Sequence, residues 1–89
     1  MEKININFDS VQAILKKMQI LQEEAYILMS EVDKNISNAE LEGWSDKRYY
    51  EFKDSFEDTK GLLNSSIKKI DEEHIPFLRK LLRISEEYN

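Results

Sequence analysis

His74 is the only histidine in the chain and stands in the tetrapeptide Asp71-Glu72-Glu73-His74. An acid three residues before a histidine is how di-iron helical bundles present ligands, because both side chains then project from one helix face. Such a centre needs two of these motifs and two further carboxylates. No second histidine exists to supply the other half, so the tetrapeptide reads as a solvated or partly covered stretch. The acid pairs Glu23-Glu24 and Glu86-Glu87 read as solvated faces. With no cysteine, no Gly-rich phosphate loop and no nucleophile elbow, no residue set points to catalysis. We expect no cofactor, no metal and no enzymatic activity.

The charge balance narrows the partners. A formal net charge of −5 argues against nucleic acid, which calls for a clustered basic face. Lys68-Lys69 and Arg79-Lys80 with Arg83 are short clusters with acids beside them. No run approaches the ~20 apolar residues of a membrane span. The opening Met1-Glu2-Lys3-Ile4-Asn5-Ile6-Asn7 lacks the basic-then-apolar pattern of a cleaved signal peptide. The expected location is the cytoplasm, or outside the cell by a route that needs no such signal. At 89 residues the chain is a single thin domain, and chains of this size bury only about 60–65% of their unfolded surface. Without disulfide or zinc, oligomerisation is the remaining source of stability.

What chemistry remains is association, and its elements are helical. Residues 1–7 alternate apolar and polar and read as a short extended lead-in. Asp9 or Ser10 can cap a helix, with Phe8 as hydrophobic staple. From there to residue 37 a strict heptad places Val11, Ile14, Met18, Leu21, Ala25, Leu28 and Val32 on one seam, widened by Leu15, Met29 and Ile36. About four such heptads predict a long amphipathic helix that packs along its length. At roughly 1.5 Å per residue it reaches about 40 Å. Ile20 and Ile27, seven apart with Tyr26 adjacent, form a second stripe on this helix. They are either scattered surface apolars or a second packing face that meets another subunit.

The spacing predicts a turn over residues 38–45, where Asn35, Ser37 and Asn38 weaken the helix and Gly43 supplies backbone freedom. Ser45 or Asp46 then caps a second helix over about 46–75. Its apolar residues include Tyr49, Phe52, Phe56, Leu63, Ile67 and Ile70, mostly three and four apart. Gly61 costs about 1 kcal/mol relative to Ala in a helix. Pro76 predicts a kink or break near residues 74–75, leaving 76–88 as a kinked or separate helical tail. The fold class expected is all-α: two long antiparallel helices joined at a Trp-containing turn, with a four-helix bundle on dimerisation. Trp44, the only tryptophan, either covers the end of the core or also presents itself to a partner; its area and single N–H suit both.

A chain of this size with two long helices and a central Trp turn resembles the WXG family of small type VII secretion substrates and their relatives. Trp44-Ser45-Asp46 sits where the Trp-x-Gly motif would be, and Phe52, eight residues later, matches an aromatic common in that family's second helix. Asp46 stands where the motif has Gly, which points to the WXG-like helical partners that accompany larger secreted toxins. The resemblance implies a head-to-tail or side-by-side four-helix dimer. It also implies a bipartite export signal, in which the Trp turn of one subunit lies near a Tyr-x-x-x-Asp/Glu motif after the second helix of the other. The sequence ends at Tyr88-Asn89, and Tyr50-Glu51-Phe52-Lys53-Asp54 has the spacing but follows the turn directly. The expectation is that a partner supplies the tail signal.

The leading reading is therefore a WXG-like protein that dimerises or binds the helical N-terminal domain of a larger effector, as targeting partner or co-secreted substrate. It is cytoplasmic before export and secreted without a cleaved signal. The expected recognition surface is Trp44, Asp46, Tyr49, Phe52, Ile20, Ile27 and Tyr26. The expected packing seam is Val11, Ile14, Met18, Leu21, Leu28, Val32, Phe56, Leu63, Ile67 and Ile70. The alternative is a cytoplasmic coiled-coil adaptor or regulator that never leaves the cell.

Overall fold

The computed structural model describes residues 4–88 as a helical hairpin. Helix α1 spans Phe8–Leu41, helix α2 spans Lys47–Lys69, a π-helical turn covers Ile70–His74, and helix α3 completes the second arm over Ile75–Tyr88. Residues 4–7 carry no regular secondary structure, and residues 1–3 of the expected lead-in lie outside the described part. No helix among the described residues is long and apolar enough to cross a membrane.

The first cap is neither Asp9 nor Ser10. Asn7 holds an extended backbone and its side chain accepts from the Ser10 N–H at 3.0 Å, which makes Phe8 the first helical residue. At 34 residues, α1 is about 50 Å long and runs four residues past the end expected at 37. Asn35, Ser37 and Asn38 do not stop it, because a helix ends where its last carbonyls find other partners, and here that happens at Gly43.

The arms run antiparallel, as cross-links between them show. The Tyr49 hydroxyl donates to the Ile36 carbonyl at 2.8 Å near the turn, and Lys60 Nζ lies 3.1 Å from Asp33 Oδ2 further along. α1 packs most closely against α3 and more loosely against α2. The hydrophobic side chains buried in the described part are Val11, Tyr49, Ile67 and Ile75. That is a small core for an elongated body of 62 × 21 × 15 Å.

The irregularity that Pro76 imposes takes the form of a π-turn, with helix on both sides of it. The Ile75 N–H bonds to the carbonyl of Ile70, five residues back. In an uninterrupted α-helix the positions four and seven after Ile67, Asp71 and His74, would point at α1. The extra residue in the turn moves both to the surface and brings Ile75 inward, 3% exposed. The same widening makes room for the proline ring, which would otherwise meet the Glu72 carbonyl. α3 then lies along α1, and Ser85 is buried.

Candidate interaction surface

The hairpin tip is built by two caps back to back. Gly43 has φ +108°, a left-handed conformation that glycine alone adopts without cost. The Gly43 N–H bonds to the Glu40 carbonyl at 3.1 Å and the Trp44 N–H to that of Ala39 at 2.9 Å, the paired bonds of a Schellman stop. Three residues after Gly43, Asp46 caps α2 by accepting from the Tyr49 N–H at 3.0 Å. Of the two caps the sequence allows, Ser45 and Asp46, the chain uses Asp46.

The Asp46 carboxylate also positions Trp44. It accepts from the indole N–H at 3.2 Å, and Arg48 lies 3.6 Å from its other oxygen. The indole rests edge-on against Tyr49, with centroids 5.2 Å apart. Trp44 is thereby fixed on one side and 46% exposed on the other. It covers the end of the core and still presents an apolar surface. Leu41 beside it is strongly exposed.

Tyr49 corrects the expected recognition surface. It is fully buried, wedged between Trp44 and Tyr50, with its hydroxyl on Ile36 and 3.3 Å from Glu40 Oε2. A tyrosine whose ring and hydroxyl are both used inside the hairpin has nothing left for a partner. Glu40, which sequence reasoning did not single out, is the hub of this end. It also accepts from the Tyr50 hydroxyl at 3.1 Å and lies 3.8 Å from Lys53 Nζ. Burial first, then the Glu40 charge, pushes the Tyr49 phenol above its ordinary pKa. The hydrogen bond to Glu40 does the same for Tyr50. Lys60 is raised by its hydrogen bonds to Asp33 and Glu57.

The expected seam divides into two parts. Val11 and Ile67 are buried, and Met18, Phe56 and Ile70 are half-buried. Ile14, Leu21, Leu28, Val32 and Leu63 are exposed, Leu28 by 58%. The apolar arc of α1 is wider than the second arm can cover, so its far edge stays open. That edge runs into α2, because Ala25, Leu28, Met29, Val32, Phe56 and Leu63 together line one open groove. Phe52, half-exposed, stacks on Phe56 with centroids 6.3 Å apart and extends the same face toward the tip. Ile20, Ile27 and Tyr26 are exposed on other parts of α1.

The surface total has the same sense. The chain exposes 7207 Å², against about 5,500 Å² for a compact monomer of its 10.6 kDa. No cluster of three or more His, Asp or Glu side chains capable of holding a metal occurs among the described residues. Comparison of the chain with known protein families, with curated proteins and with solved structures gives no match.

Proposed function

We propose that this chain is a WXG-like type VII secretion protein that works by helix–helix association, as a co-secreted substrate or as the targeting partner of a larger effector. The observation that carries the association is the pair of open apolar grooves along α1, one lined by Ile14, Met18 and Leu21 and the other by Leu28 and Val32 with Leu63 of α2, with Phe52 half-exposed beside Phe56. Exposed apolar surface of this kind supports a protein-binding role.

The tip supports the WXG-like part of the reading. Asp46 occupies the third position of the Trp motif, and here that position is the N-cap of the second helix. Gly and Asp both belong to the residues favoured at an N-cap, so the substitution keeps the local structure that the turn needs. Gly43, one residue before Trp44, provides the left-handed conformation. The half-exposed indole is then a rigid element that a receptor or partner can grip.

Trp44→Ala tests this directly. Asp46 still caps α2 in the variant, so far-UV circular dichroism should stay near wild type, while export or capture of the effector's helical domain is lost. Export of the variant at the wild-type level would refute the assignment. A wild-type protein that stays in the cell while its secretion system is active would move the chain to the adaptor class.

A further inference from the structure

We infer that the outer side of helix α3 binds an acidic helical segment of another protein, two of whose carboxylates, four residues apart, lie against Arg79 and Arg83. Pro76, Arg79, Arg83 and Glu86 follow one another three and four residues apart, so they form one stripe along the helix. With Leu82 as an apolar floor they line an open cleft of about 470 Å³, within the ~300–1,000 Å³ of ligand clefts. Leu82 is half-buried, whereas Arg79, Arg83 and Glu86 are exposed and enter none of the ion pairs among the described residues. Two guanidinium groups thus flank apolar surface with no acid of their own chain engaged. The cleft shares no residue with the two grooves along α1, so it is a second and separate site.

The charge around the cleft selects the occupant. α3 packs along α1, and because the arms are antiparallel it lies beside the first half of that helix. Residues 10–22 and 75–85 together hold Lys16, Lys17, Arg79, Lys80 and Arg83 and none of the chain's 18 acids, so this end of an acidic molecule is positive. Such a field draws in an acidic partner and fixes its register. An arginine meets a carboxylate with two parallel N–H donors, and acids four residues apart on one helix match the spacing of residues 79 and 83. Glu86, three residues further on, gives the site a direction, since it suits a cation of the partner and repels a third acid. A lipid surface fits less well, because a flat layer of anionic headgroups cannot follow a concave cleft that ends in a carboxylate.

Fluorescence anisotropy of the full chain with a labelled, alanine-based helical peptide tests the site. The probe carries two glutamates four residues apart, a leucine on the same face and a lysine three residues to one side. It should bind saturably, and more weakly as salt is raised. Arg79→Gln and Arg83→Gln should each weaken binding about three- to fivefold with circular dichroism unchanged. Lys68→Gln, which removes an exposed cation of α2, should have no effect. The Arg79→Glu/Arg83→Glu variant should lose this peptide and take up one in which the two glutamates are lysines. No binding by the wild type, a loss from Lys68→Gln as large as from the arginine variants, or a double reversal that does not exchange the two peptides overturns the site. Arginine-dependent binding to phosphatidylserine vesicles without binding to the peptide overturns the acidic segment as occupant. The association along α1 uses other residues, so failure here leaves that reading standing.

Discussion

At the residue scale, the tip shows how a few side chains carry several constraints at once. Asp46 caps α2, receives the indole N–H and stands beside Arg48, so Trp44 is oriented by the same carboxylate that starts the helix. Tyr49 and Tyr50 bring their hydroxyls to Glu40, which ties the start of α2 to the end of α1. These contacts predict an alkaline limit. Both phenols and the Lys60 ammonium titrate above their ordinary values of 10.0 and 10.5 in the folded chain. A raised folded value means that the stabilisation is complete below the unfolded value and is lost as the pH rises through the folded one. The melting temperature should therefore decline above about pH 10, with tyrosinate absorbance rising in step with loss of helicity. Replacing both Tyr49 and Tyr50 by Phe should flatten the decline. Full helicity retained after all four tyrosines have ionised would contradict this account.

At the scale of elements, what was legible in the sequence was periodicity. The heptad from Val11 to Val32 and the three-and-four spacing after Tyr49 announce two amphipathic helices because burial repeats with the helical turn. The ends were harder to read because they depend on single hydrogen bonds. Asn7 rather than Asp9 starts α1, and the bonds around Gly43 rather than Asn38 stop it. Pro76 was visible as a disturbance, whereas the π-turn that absorbs it required the register of Ile67 and Ile75 against α1. Tyr49 was read as surface because an aromatic beside a tryptophan turn gives no sign of the Ile36 carbonyl across the hairpin. Gly61 offers a test of the second arm. A methyl group added there would meet nothing within 4 Å, so the open space removes any steric penalty. Gly61→Ala should stabilise the hairpin by about 1 kcal/mol and raise its melting temperature by roughly 4–8 °C for a domain of this size. An unchanged or lower melting temperature would mean that the glycine serves a bend or contact absent from the single chain.

The whole molecule is a hairpin whose apolar side chains divide into a buried set and an exposed one. Val11, Ile67 and Ile75 hold the two arms together, while Ile14, Leu21, Leu28 and Leu63 belong to the same sequence pattern yet face outward. The periodicity of each arm cannot separate the two sets, since buried and exposed residues occupy neighbouring positions of one broad stripe on that arm. Mutation can separate them, because truncating a buried side chain costs folding stability, whereas truncating an exposed one leaves folding almost unchanged and tests the association proposed above. Ile67→Ala removes a side chain that is 4% exposed and should cost about 2–5 kcal/mol, a large fraction of what so small a core provides. Leu28→Ala truncates one that already faces water, so unfolding of the isolated chain should change by about 0.5 kcal/mol or less. Its effect should appear in the proposed association, as weaker binding to the partner and a smaller rise of the melting temperature with protein concentration. Thermal melts over a range of protein concentrations measure both quantities together. If Leu28→Ala destabilised the dilute chain as much as Ile67→Ala, the leucine would be part of the hairpin core and the open face would not be a binding surface.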